Sequence, residues 1–181
     1  MSNGLVIGSE HELPTGNQDF RTTIAKVKKE NPYGIFISFL APHTKASFLK
    51  QAKELGISSV ILSAADIQDE SVLESFGAYM DGVIYTYPKP AADQASFAEK
   101  YRTAYGKDPQ GPAAANAYDA VRIVAEALRS GAKSGKEVQA ALMEIEIPGT
   151  FIDTLDFNEK HQVHGGEFEV KTVRGGKFTA L

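Results

Sequence analysis

Four histidines and a few clustered carboxylates are the residues of this 181-residue chain whose types and spacing suggest chemistry. "HQVH" puts His161 and His164 three apart, a spacing that suits a metal when both lie on one helix face. Gly165-Gly166 follows at once and no third ligand is nearby, so the pair reads as surface histidines and no metal is expected. "HELPT" at His11 begins like a zinc-protease helix, but Pro14 breaks the helix and no second histidine follows at the required place. Asp66, Asp69 and Glu70 gather where a loop meets a helix, and with His43 they form the grouping on which a carboxylate-dependent hydrolase would have to rely. Acids at such a point more often cap the helix, and capping is the preferred reading. Tyr118-Asp119, in "NAYDAVRIVAEAL", resembles an acid/base pair. Helical spacing instead places Tyr118, Val121, Val124, Ala125 and Leu128 in a core, with Asp119, Arg122, Glu126 and Arg129 on the other faces. The sequence holds no G-x-S-x-G elbow, no G-x-G-x-x-G fingerprint and no Walker loop, so no catalytic residue and no cofactor are expected.

The elements that position these residues follow from apolar periodicity. Leu5–Ile7 is a strand candidate, and "DFRTTIAKVKKEN" a helix begun at Asp19 and stopped by Asn31-Pro32. "GIFISFL" (34–40) is an apolar, β-branched and aromatic run of the kind buried on both faces of a sheet. A helix with Phe48, Leu49, Ala52 and Leu55 on one side ends at Gly56. Then come the strand "SSVILS", a short helix "DESVLESFG" ending at Gly77, and the strand "DGVIYTYP". This β-α alternation predicts an α/β fold with a parallel sheet and flanking helices, whose ligands lie beyond the carboxyl ends of the strands. After Lys89-Pro90 the character changes. Three helices (95–105, 113–130, 136–145) run in succession, two strand candidates follow at 151–155 and in "GEFEVKTV", and Gly175-Gly176 makes a turn before "KFTAL".

Composition narrows the partners. A net charge of -4 with scattered basic residues leaves no footprint for a phosphate backbone, so nucleic acid is not an expected partner. No cysteine is present, which excludes disulfides and thiolate sites. No apolar run approaches the roughly 18 residues of a membrane span, and "MSNGLVIG" lacks the features of a signal peptide.

Seven phrases, in order, resemble one family: "DFRTTIAKVKKENP", "FLKQAKELG", "FGAYMDGVIYTYP", "FAEKYRTAYGKDP", "AYDAVRIVAEAL", "TLDFNEKHQ" and "GEFEVKTVRGGKF". The chain is similar to periplasmic solute-binding proteins of the branched-chain amino acid type, the type I binding-protein fold of ABC import systems. The resemblance implies two α/β lobes that close on a ligand. Under it, residues 1–88 are part of lobe two, 89–157 return to lobe one, and 158–181 go back to lobe two, with hinges at Tyr87–Pro90 and Asp156–Glu159. It further implies a C-terminal fragment without the N-terminal lobe, the first β-α unit of lobe two or the signal peptide. The implied function is the substrate-binding component of an importer for amino acids or related small polar solutes. That component works with a membrane permease and is periplasmic or extracellular in its full-length parent.

Ligand contacts carried over from the family fall at Leu40, Ala41 and Pro42 after the "GIFISFL" strand. After "SSVILS" they fall at Ala65, with Asp66 one position later. In amino-acid-binding members that second loop supplies an acid for the ligand's ammonium, so the offset makes a ligand without one as reasonable as leucine. The alternatives are a ligand-sensing domain of a receptor or regulator with the same fold, and the hydrolase built on Asp66, Asp69 and His43. Helix faces and a sheet edge left uncovered would favour self-association.

Overall fold

A computed structural model of the chain describes residues 4–39, 41–91, 94–109, 111–164 and 166–181. The chain divides into two compact units, Met1–Tyr87 with Val170–Leu181, and Pro88–Glu169. Among the described residues no helix is long and apolar enough to cross a membrane.

In the first unit helices and strands alternate: α1 (Arg21–Glu30), β1 (Gly34–Ile37), α2 (Pro42–Glu54), β2 (Val60–Ser63), α3 (Glu70–Met80) and β3 (Ile84–Pro88). A 3-10 turn, Ala65–Ile67, lies between β2 and α3. β1, β2 and β3 are neighbours in that order and run parallel. Right-handed crossovers between strands in simple sequence put their helices on one face. Accordingly α2 packs against both α1 and α3. β6 (Phe168–Arg174) joins β3, and β7 (Lys177–Ala180) pairs antiparallel with β6. The turn between them needs Gly175 and Gly176, whose φ values of 57° and 70° suit a residue without Cβ. The unit boundary falls within β3 and β6.

Strand register separates the two faces of this sheet. Ile37, Ser63 and Tyr85 are paired across β1, β2 and β3 and all are buried. The adjacent row, Phe36, Leu62 and Ile84, is paired in the same way and faces the opposite side. There Phe36 is 65% exposed. The strands carry the composition of a sheet covered on both faces, but among the described residues only one face is covered. The buried face is sealed by an aromatic trio, with Phe20 5.4 Å from Phe39 and 5.5 Å from Phe48, centroid to centroid.

Several boundaries differ from the sequence reading. Leu5–Ile7 forms no strand: it is exposed and pairs with no described residue, because a strand exists only by its neighbour's hydrogen bonds. α3 runs through Gly77 to Met80, and a Cβ at Gly77 would make only ordinary van der Waals contact with Leu73 and the Gly176 backbone. That glycine has no positive φ and does not terminate the helix. α1 begins at Arg21. Its first turn is held partly by Asp19, whose carboxylate accepts from the Arg21 amide, and more deeply by Gln51 of α2, which accepts from the Phe20 amide at 2.7 Å and donates to the Gln18 carbonyl.

The second unit contains α4 (Gln94–Tyr105), α5 (Ala113–Arg129), α6 (Gly135–Leu142) and a small hairpin of β4 (Ile147–Pro148) with β5 (Thr154–Leu155). Here the reading of α5 is corrected. Its buried face is Ala115, Asp119, Ile123 and Ala127, whereas Tyr118, Val124 and Leu128 are exposed and Val121 is 71% exposed. The small alanines let α5 approach its neighbours, and Asp119 can be buried because its carboxylate is fully engaged. It accepts from the Thr150 amide at 2.5 Å, from Thr150 Oγ1 at 2.6 Å and from Arg122 at 2.8 Å. Arg122 also donates to the Pro148 carbonyl at 2.9 Å, so one carboxylate and one guanidinium clamp the hairpin to α5. Gly149 in the same turn tolerates no Cβ, which would stand 2.1 Å from the Ile152 carbonyl oxygen.

Removing the clamp strands a guanidinium and two donors. Asp119→Ala is therefore expected to lower stability by about 3 kcal/mol, and Gly149→Ala by about 2 kcal/mol. Urea unfolding measures both; a loss for Asp119→Ala within experimental error of zero would remove the clamp from this account.

Candidate functional site

The carboxyl ends of β1 and β2 are the places where a parallel sheet presents ligand-binding loops. After β1 the chain passes through residues 38–41 into α2. Leu40, one of the expected contact residues, lies outside the described residues. Ala41 is the extended N-cap of α2 and Pro42 its first helical residue, where a fixed φ and a missing amide proton cost nothing. Both are half-buried. After β2, Ala65 and Asp66 open the 3-10 turn, and Asp69 caps α3.

The residue that joins these two loops was not among those expected. Lys45, one turn into α2, is buried with its side chain 3% exposed, and its ammonium lies 3.0 Å from Asp66 Oδ2. It also donates to the Asp66 backbone carbonyl. Asp66 is itself a third exposed. The pair thus fixes the Asp66 turn against the first turn of α2, beside Ala41 and Pro42. A signal for it exists in the sequence: Lys45, Phe48, Leu49 and Ala52 stand at i, i+3, i+4 and i+7, which places a lysine on the apolar stripe of α2. A lysine there needs an acid close by.

Asp69 is equally committed. Its Oδ1 accepts from the Ser71 amide at 3.0 Å, the Val72 amide at 3.2 Å and the Ser71 hydroxyl at 2.6 Å. Partial burial acts to raise the carboxyl, but these hydrogen bonds and the charge of Lys45 outweigh it and hold Asp69 below its ordinary value of 3.8. Gln68 accepts the Tyr85 hydroxyl at 2.8 Å, and Ser63 donates to the Ile37 carbonyl at 3.0 Å. His43 is exposed on the first turn of α2.

The histidines of "HQVH" point to different partners. His161 Nδ1 lies 3.1 Å from Met143 Sδ and His164 Nδ1 3.3 Å from Asp156. Among the described residues no group of three His, Cys, Asp or Glu side chains is placed to hold a metal. Within the second unit, where its chain enters and leaves, the Lys89 amide donates to the Glu167 carbonyl at 2.9 Å and the side chains of the same residues pair at 2.7 Å. The hydrogen bond and opposite charge raise the Lys89 ammonium and lower the Glu167 carboxyl, both on exposed side chains.

Comparison with known proteins supports the fold. The family described as periplasmic binding protein matches residues 2–177. The leucine-, isoleucine-, valine-, threonine- and alanine-binding protein of Pseudomonas aeruginosa is 23% identical over 170 residues, covering 92% of this chain and 45% of that protein. The crystal structure of a leucine-binding protein from Thermotoga maritima superposes with a TM-score of 0.75 at 21% identity, covering 92% of this chain and 48% of that one. A solute-binding protein of an ABC transporter from R. palustris, solved with benzoate, gives 0.74 at 18% identity, covering 93% and 48%. The chain therefore spans about half the length of the relatives it matches.

Asp69→Ala is expected to cost about 1 kcal/mol at pH 7 through loss of the cap. Because the carboxyl is lowered on folding, its contribution is present above 3.8 and is lost as pH falls through the folded value. Unfolding curves of the parent and variant should converge toward pH 3; a difference constant from pH 7 to 3 would mean the cap is not made by the ionised group.

Proposed function

Because the chain belongs to the periplasmic binding protein family, we propose that it is the solute-contacting part of a substrate-binding component of an ABC importer. Its solutes are amino acids or related small polar molecules, and a membrane permease receives them. On this reading residues 1–88 form part of lobe two, 89–157 pass to lobe one and 158–181 return, and the parent protein works in the periplasm or outside the cell. Ligand capture is a population shift, the ligand binding the closed arrangement of the lobes more tightly than the open one.

One observation carries the reading: Ala41-Pro42 and Ala65-Asp66 sit at the carboxyl ends of adjacent parallel strands, joined through Lys45. The polar groups there are matched to one another rather than poised for proton transfer. Asp69, which a hydrolase would need as acid or base, is occupied as a helix cap. This favours binding without turnover. The named relatives bind branched-chain and other small amino acids in one case and benzoate in another, so a small carboxylate with an apolar side fits the class.

Calorimetry on the natural protein as expressed, with a panel of amino acids and aromatic acids, tests the assignment. Saturating binding by at least one, with a smaller radius of gyration in X-ray scattering, is expected. Hydrolytic turnover that disappears in Asp66→Ala would replace it with the enzyme reading.

The same chain self-associates on this proposal, because Phe36 and Leu62 on the sheet and the stripe Tyr118, Val121, Leu128 leave apolar surface open. Sedimentation of the 181-residue chain should show a dimer or larger species that Val121→Glu with Leu128→Glu shifts toward monomer. A parent chain already monomeric would refute it.

A further inference from the structure

The described residues that follow β1 and β2, namely 38, 39 and 41 and then 64–69, contain two carboxylates, Asp66 and Asp69. Both are already engaged within the protein. Asp69 is held by two amides and a hydroxyl at the start of α3. Asp66 is paired with the buried ammonium of Lys45, which lies 3.0 Å from its Oδ2 and donates to its backbone carbonyl. Glu70, the first residue of α3, is exposed, where its attraction for a cation is screened by water and salt. The ammonium of Lys45 thus already balances the charge of the Asp66 carboxylate from the buried side. A second cation there would meet a charge already neutralised and a like charge within a few ångströms.

We infer that Lys45 acts as a built-in counter-ion that excludes ammonium-bearing solutes, so that this site takes a small carboxylate or amide without an amino group. The inference rests on the solute-binding reading and narrows it. Lys45 works through Asp66 and is a specificity-determining positioning residue. Its effect is on the ratio between two ligands that differ by one group, which a merely structural role would not move.

The probes are L-leucine and 4-methylpentanoate, the same carbon skeleton without the ammonium, measured by calorimetry on the natural protein and on Lys45→Met. The unsubstituted protein should bind 4-methylpentanoate at least tenfold more tightly than leucine. In Lys45→Met, where Asp66 is released, that preference should fall at least tenfold. A leucine preference in the unsubstituted protein, or an unchanged ratio in the variant, overturns the inference while leaving solute binding intact. Failure of both proteins to bind either probe, or any of the acids in the wider panel, overturns the solute-binding reading and the inference with it. The comparison in the unsubstituted protein needs no variant, and Lys45→Gln replaces Lys45→Met if the latter does not fold.

Discussion

An ammonium group cannot be taken out of water without an acceptor, and in the first unit Lys45 has been taken out of water almost completely. The loop after β2 must therefore bring a carboxylate and a carbonyl to it, and the Asp66 turn does so. Removing one member of such a pair typically costs about 3 to 5 kcal/mol where both partners are buried, and less here because Asp66 is partly hydrated. The constraint links three things that are separate in sequence: the first turn of α2, the 3-10 turn Ala65–Ile67 and the cap of α3. These segments follow the carboxyl ends of β1 and β2, where the proposed function places the ligand. The charge that stabilises the loops and the charge available to a ligand are one quantity, so satisfying the first diminishes the second.

The second unit solves a parallel problem with the opposite sign. Asp119 is a buried carboxylate, and its acceptors' share is filled by Thr150 and Arg122, which fasten the β4–β5 hairpin to α5. In each unit a charged residue on the inner face of a helix holds a neighbouring turn in place. Directional hydrogen bonds define those turns more closely than apolar contact could, since hydrophobic burial carries no orientation.

Apolar surface is distributed differently. The strands β1 to β3 are hydrophobic on both sides, and α5 carries an apolar stripe besides its buried alanine face. Sequence pattern alone treats both as core. The structure covers one side of each and leaves Phe36, Val121 and Leu128 largely exposed. Periodicity states that a face is apolar; what lies against that face is a property of other segments.

The amino-acid sequence by itself determined the alternation of strands and helices, the parallel sheet, the helical run after Lys89-Pro90, the glycine turn at 175–176 and the family. The family rests on the resemblance of seven phrases in order along the chain, the parallel sheet on the order in which elements alternate, and the elements and the turn on local propensity and spacing. Asp69 as a cap was legible for the same reason, because a cap is made within three residues. Only tertiary structure decided that Leu5–Ile7 is not a strand, that Asp119 rather than Tyr118 faces inward, and that Lys45 claims Asp66. Those outcomes depend on residues about 20 or more positions apart meeting in space. The misplaced lysine in the apolar stripe of α2 announced that an acid must be near, but not which acid, because a charge's need for a partner is local and the partner's address is set by the fold.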